Sequence, residues 1–390
     1  MTTPTPIGFI DTNSCDLAAF KALIDQTLSK ADVPLADDIQ KNIPIYDMNR
    51  LRPMLQGDAR RMLMQEWAQV MMHGAGVIAL RAAYPDTAVL DEASLVYNAI
   101  IAAEKAASGG GADHFAAAGA NDRVWNSLQK LCEHAPEICL RYFANTAIDA
   151  VCEAWLGPYY QMTAQVNLVH PGGAAQQAHR DYHLGFQTEE TCAHYPAHVH
   201  ALSPLLTLQG GIAHCDMPLE SGPTKLLPYS QAYLPGYAAW RRDDFREVFE
   251  ARHVQLPLAK GDVVFFNPAL FHAAGANKTA DIHRMVNLLQ VSSAFGRAME
   301  TVDRRAMCKL TYPHAVAAQK AGRLSAAELR AAIAAIGEGY AFPTNLDTDP
   351  PKGGLAPRSQ QAAFAQALEA GVSPQDFAAQ LDQMAARQQA

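Results

Sequence analysis

The sequence has no Cys-x-x-Cys pair, no run of about 18 apolar residues and no surplus of positive charge, and each absence removes a class of function. Lysine and arginine total 31 against 39 acidic residues, a formal net charge of -8. A nucleic-acid binder needs a positive surface to neutralise phosphates, so no nucleic-acid partner is expected. Seven cysteines (Cys15, Cys132, Cys139, Cys152, Cys192, Cys215, Cys308) are odd in number and widely spread, which argues for reduced, buried thiols. The first ten residues lack the basic start and unbroken apolar run of a signal peptide. A cytoplasmic protein with no membrane partner is the expectation. The run Gly109-Gly110-Gly111 has no strand before it and no Gly-Lys-Ser/Thr after it, so it reads as a flexible connection or lid and not as a phosphate cradle. There is no internal repeat.

What is present is a folded globular composition, 49% hydrophobic and 18% charged, able to bury a sizeable core. The first 160 residues read mainly as helix and loop. Helices are predicted at 58–72, 90–106, 122–134 and 139–155, with a short strand at 76–80. From about Tyr160 to Ser293 short strand-like runs (162–169, 198–202, 205–213, 263–267, 284–291) are separated by Pro, Gly and Asn. Such spacing predicts a β-sandwich or barrel and not a βαβ alternation. Helices return after Phe295. Ser325 and Glu328 form a capping-box pattern, and Ser373-Pro374 places an N-cap before a proline at the first helical position. The proline-rich segment 340–354 is either a surface crossing or a cover over the site.

The chemistry concentrates in His179-Arg180-Asp181, followed far along the chain by His272 and Arg284. Two imidazoles and one carboxylate can hold a non-haem iron on one face and leave the other open. On an extended strand His179 and Asp181 point to the same side and Arg180 points away. A His-x-Asp pair alone is weak, because fourteen histidines produce such pairs by chance. His183 continues the alternation. Three such ligands would span about 13 Å at about 3.3 Å per residue, so His183 is expected beside the metal site or facing substrate.

Three ordered segments carry a stronger signal. They are 165–187 with His179 and Asp181, then 220–231 with Ser221-Gly222-Pro223, then Gly261-Asp262 leading through a strand to His272 and on to Arg284. Together they resemble the phytanoyl-CoA dioxygenase family of iron(II)/2-oxoglutarate oxygenases over roughly residues 76–293. The pattern departs from the family at Pro228-Tyr229-Ser230-Gln231, where a Pro-Gly-Ser-His-like stretch is usual. That difference alters a turn and removes no ligand.

The resemblance implies an α+β fold with a double-stranded β-helix (jelly-roll, cupin-like) core at 160–295. A helical region at 1–160 completes an oxygenase domain of 1–300, and a helical C-terminal extension at 301–390 packs on the core. It implies His179, Asp181 and His272 as ligands of Fe(II), with Arg284 clasping the far carboxylate of 2-oxoglutarate. Dioxygen is the other cosubstrate. An arginine suits that place because its planar guanidinium meets a carboxylate through two parallel hydrogen bonds. Alternation puts Arg284, Val286 and Leu288 on one inward face. Gln165 and Asn167 share a face of the strand leading towards His179, and either could contact the cosubstrate or simply stitch strands together. Thr207 is a weaker candidate.

The implied reaction hydroxylates an unactivated C–H bond of a small organic substrate and releases succinate and carbon dioxide. Related halogenases lose the carboxylate ligand, so the presence of Asp181 favours hydroxylation, with desaturation and ring formation open on the same ligands. The alternatives are a cupin-like hydrolase or isomerase using another metal, and a non-catalytic module that binds 2-oxoglutarate or another ligand. A CoA thioester would need cations for its phosphates. Lys41, Arg50, Arg52, Arg60 and Arg61 form the densest basic stretch, which also reads as a solvated helix face. His194, His198 and His200 lack a carboxylate at ligand spacing and read as ordinary loop histidines. The sequence sets no oligomeric state.

Overall fold

The computed structural model describes residues 8–108 and 120–389. Among them are ten strands: β1 (Asp38–Gln40), β2 (Ile43–Asp47), β3 (Val77–Arg81), β4 (Asn121–Val124), β5 (Gln161–Val169), β6 (Thr207–Ala213), β7 (Lys225–Leu226), β8 (Val263–Phe266), β9 (His272–Ala273) and β10 (Arg284–Ser292). Eight form one sheet in the order β1-β2-β3-β8-β6-β10-β5-β4, antiparallel except where β2 meets β3. β7 and β9 make a second, small sheet, widened by isolated bridges of His179 with His272, Leu226 with Val254 and Met217 with Leu258. The two sheets face each other across a cavity, as in a double-stranded β-helix.

The central strand β10 explains how the layers are sorted. Arg284, Val286, Leu288 and Gln290 face the cavity, while Met285, Leu289 and Val291 enter the main hydrophobic core behind the sheet. A one-residue slip would exchange the two sets, so the buried apolar side fixes the register. β10 is held on both flanks, with Val286 opposite Asn167 of β5 and Ala213 of β6.

Helices cover the outer face. Those at Gly57–His73, Ser127–His134, Pro136–Phe143 and Thr146–Leu156 share one core cluster with the sheet and with the C-terminal helices Arg304–Lys320, Ala326–Ile336, Gln360–Glu369 and Pro374–Gln388. Buried Arg304 ties the two parts, donating to Met162 O at 2.8 Å and to Ala335 O at 3.1 Å. Tyr312 stacks on Phe377 with ring centroids 4.1 Å apart. Both halves of the Ser325/Glu328 capping box form, and Ser373 caps its helix with Pro374 in the first turn. Each such cap contributes about 1 kcal/mol.

Several elements differ from the sequence reading. Residues 122–134 are not one helix: β4 comes first, pairing Arg123 with Asn167, and the helix begins at Ser127. Strand β4 is polar because Asn121 and Arg123 face the cavity, so it lacks the apolar alternation that marks a half-buried strand. Residues 198–202 belong to a short helix, Ala197–Leu202, bounded by Pro196 and Ser203-Pro204. The N-terminal region also contains the β1–β2 hairpin, whose two turn residues Lys41 and Asn42 have φ of 52° and 65°. Positive φ at both positions is the I′ geometry usually signalled by Asn-Gly or Asp-Gly. The segment 340–354 is irregular and contributes nothing to the cavity wall. Gly109, Gly110 and Gly111 lie outside the described residues.

All seven cysteines are free and six are buried. Among the described residues no helix is long and apolar enough to cross a membrane.

Candidate active site

Between the sheets lies a cavity of about 990 Å³. Its metal-binding potential comes from a backbone bridge. His179 N donates to His272 O at 3.0 Å and His272 N donates to His179 O at 3.2 Å, which sets the two imidazoles side by side. Their ring centroids are 4.4 Å apart. Asp181 N donates to Pro268 O at 3.1 Å and brings the carboxylate to the same edge. Ligand atoms of His179, Asp181 and His272 all lie within 4.8 Å of one another.

The tautomers follow from the acceptors. His179 Nδ1 meets Gln177 O at 2.9 Å and His272 Nδ1 meets Leu270 O at 2.8 Å. A carbonyl only accepts, so each Nδ1 carries the proton and each Nε2 presents a lone pair. Those Nε2 atoms lie 3.7 Å and 3.4 Å from Asp181 oxygens. Burial, and then the neighbouring His272, push the His179 imidazole below its ordinary value, which favours the neutral, ligating form. Burial works against ionisation of Asp181, yet His179, His272 and a hydrogen bond from Gln209 together hold its carboxyl well below the usual range. Two neutral imidazoles and one carboxylate form a donor set that suits a divalent iron.

Arg284 enters the cavity from the start of β10. It is 4% exposed and donates to Ser221 O at 2.9 Å and Gly275 O at 3.2 Å. No carboxylate among the described residues pairs with it, and burial pushes the guanidinium down to about 10. Asn167 also lines the cavity, with Oδ1 buried and without a partner. Gln165 is on the wall, but its Oε1 accepts from Arg123 at 3.3 Å, so it stitches strands β4 and β5.

Other sequence candidates lie elsewhere. Thr207 is buried but not on the cavity wall. The chain bends at Tyr182 and His183, both at positive φ, and His183 turns to Ser203 Oγ at 3.1 Å, away from the cavity. His200 is buried against Cys192 O, and His194 and His198 join no ligand group. The basic stretch is used structurally: Arg50 pairs with Asp37, Arg52 donates to Ala82 O and Ala83 O, and Arg60 pairs with Asp149 and Glu153.

Sequence reasoning did not single out Gln209, Trp125, Trp240 or Phe186 as cavity residues. Gln209 was within reach of it, because it follows Thr207 by two positions on the same strand face. The aromatic residues arrive from separate segments with no shared period.

The chain matches the family model for phytanoyl-CoA dioxygenase (PhyH) over residues 72–286, more than half its length and including His179, Asp181, His272 and Arg284. It is similar to Dioxygenase andF of Emericella variicolor, 25% identical over 144 residues, which cover 35% of this chain and 44% of that protein. The match thus spans less than half of that relative. Among solved structures it is similar to the non-heme alpha ketoglutarate dependent epimerase SnoN from nogalamycin biosynthesis, at 18% identity and TM-score 0.41, covering 60% of this chain and 84% of that one. The same epimerase in complex with Fe3+, alpha ketoglutarate and nogalamycin RO is 17% identical at TM-score 0.41, covering 60% and 85%. The carbocyclase SnoK of that biosynthesis is 19% identical at TM-score 0.39, covering 61% and 84%. The family match covers strands β3 to β9 together with His179, Asp181, His272 and Arg284 at the cavity, and the chain belongs to the phytanoyl-CoA dioxygenase family of iron- and 2-oxoglutarate-dependent enzymes.

Proposed function

We propose that this chain is a 2-oxoglutarate-dependent dioxygenase that hydroxylates an unactivated C–H bond of a small organic substrate. His179, Asp181 and His272 hold Fe(II), Arg284 binds the far carboxylate of 2-oxoglutarate, and Asn167 contributes a polar contact to the cosubstrate. The observation that carries the reading is Arg284. A guanidinium buried in a cavity wall with only backbone carbonyls as acceptors is costly until an anion completes its pairing. A hydrolase or isomerase built on the same three ligands leaves that cation without a purpose.

Bound iron supplies the activation of dioxygen, with 2-oxoglutarate giving up two electrons as it is converted to succinate and carbon dioxide. The protein's share is placement. Carbonyl acceptors on both Nδ1 atoms fix the imidazoles before the metal arrives, so little reorganisation is needed on binding. Apolar walls from Val264, Phe266 and Leu288 keep water from the reacting carbon. Retention of the Asp181 carboxylate leaves no ligand place for halide, which favours hydroxylation.

The test uses labelled dioxygen with iron(II), 2-oxoglutarate and a metabolite extract. Hydroxylation places one labelled atom in succinate and the other in a new alcohol product. Turnover that labels succinate while a metabolite of the extract is consumed to give an unlabelled product would retain the cosubstrate chemistry and overturn hydroxylation in favour of desaturation, ring closure or epimerisation.

A further inference from the structure

Gln209 lies on β6 in the cavity wall and is 4% exposed. Its Nε2 donates to Asp181 Oδ2. An ionised carboxylate only accepts, so this contact fixes which way round the amide sits. Its Oε1 is therefore committed as an acceptor, and it is buried with no partner. Leaving such an acceptor unmet is unfavourable, so a ligand that supplies a donor is favoured there.

The protein does not supply that donor among the described residues. Gln290 stands opposite Gln209 in the register of β6 and β10, and its amide does not reach Gln209 Oε1. Nor can 2-oxoglutarate supply it, because as a dianion it carries acceptors alone. The remaining donors are a water in the cavity and the molecule that is oxidised, which displaces such a water when it binds.

The surroundings narrow its chemistry. Leu288, Phe266, Phe186, Trp240 and Met299 line the same cavity, and Asp181 is its one acidic residue among those described. The side chain of Arg180 is bound to Ser230 O and Tyr233 O, and Arg123 lies over Trp125 and donates to Gln165. With Arg284 assigned to the cosubstrate and Asp181 to the metal, a cationic substrate has no carboxylate to meet, and an anionic one finds both remaining guanidiniums already engaged by the protein. The volume of about 990 Å³ is ample for a drug-sized molecule beside the cosubstrate.

We propose that the substrate is a neutral, largely apolar molecule carrying a hydroxyl or N–H group close to the carbon that reacts, and that Gln209 Oε1 receives this group. Because the other end of the same amide holds Asp181, the donor is anchored directly beside the metal ligands. Gln209 is thus a specificity-determining residue, rejecting analogues that lack the donor. This rests on the iron and 2-oxoglutarate reading above.

The test loads the full chain anaerobically with iron(II) and 2-oxoglutarate, then measures binding of matched probes by ligand-detected NMR. Suitable pairs are 2-naphthol against 2-methoxynaphthalene, indole against N-methylindole, and borneol against its methyl ether. Donor-bearing members are expected to bind about tenfold more tightly, the equivalent of about 1.4 kcal/mol. In Gln209→Met, at saturating metal and cosubstrate, the preference should fall below about twofold. Equal binding within the wild-type pairs, or no binding of any donor-bearing probe while 2-oxoglutarate binds, overturns this inference alone. Failure of 2-oxoglutarate itself to bind overturns the functional reading beneath it.

Discussion

His179 and His272 hold each other in place through two reciprocal backbone hydrogen bonds, and each turns its Nδ1 to the carbonyl two residues before it in its own segment. The metal-facing nitrogens are thus set by main chain, which side-chain substitutions nearby leave largely intact. Replacing a ligand is a different matter. His272→Ala and Asp181→Ala should each weaken iron(II) binding by more than about 100-fold, beyond the roughly 10–100-fold lost when an outer partner is removed. Metal titration checks this, with circular dichroism confirming that the fold persists.

Arg284 should act on one end of the cosubstrate only. Arg284→Lys keeps a charge but loses the fork, and Arg284→Met loses both. Hydrogen bonds to charged groups contribute about 1.5–3 kcal/mol, so 2-oxoglutarate affinity should fall about 10- to 100-fold. Pyruvate, which has the chelating end but no second carboxylate, should bind the variants as it binds the wild type. Equal losses for both acids would remove Arg284 from the role.

Arg180 separates two proposed ligands in sequence and points into the protein. Its guanidinium lies 5.2 Å from the centroids of both Tyr237 and Phe271 and donates to Ser230 O at 2.6 Å and Tyr233 O at 2.9 Å. Gly236 leaves room for it, since a Cβ there would stand 1.9 Å from Cζ. Gly236→Ala and Arg180→Met should each destabilise the fold by about 2–4 kcal/mol in urea unfolding. Both should also loosen iron binding by about tenfold, as the segment carrying His179 and Asp181 loses its anchor.

His214 makes folding sensitive to acid. It is buried between Ser94 Oγ at 2.8 Å and the Tyr142 hydroxyl at 2.7 Å, and burial lowers it to about 3. The unfolded chain, with an imidazole near 6.5, binds a proton that the folded chain refuses between those two values. The penalty is absent above pH 6.5, grows as pH falls and stops growing near the folded value. Stability should decline through this window about 1.4 kcal/mol per pH unit more steeply than in His214→Gln, measured by denaturant unfolding across pH.

The candidate site was more legible in the sequence than the individual strands and helices around it. His179, Asp181, His272 and Arg284 could be picked out because their residue types and order are set by the chemistry expected of them. The face alternation of β10 followed from its period of two. The hairpin at 38–47 was missed because Lys41 and Asn42 adopt left-handed backbone without the glycine that advertises it. β4 was missed because a strand that lines a polar cavity loses the apolar alternation. Residues 198–202 were misread because a run of five fits either period, and the flanking prolines decided for helix. Gln209 and Trp240 converge only through tertiary structure.

The central claim is that His179, Asp181, His272 and Arg284 together consume 2-oxoglutarate. The most direct measurement is succinate formation by anaerobically purified protein given iron(II), 2-oxoglutarate and then oxygen, beside Asp181→Ala. Slow succinate release by the wild type, lost in the variant, is the predicted result. No succinate above the variant, together with no binding of 2-oxoglutarate, would contradict it.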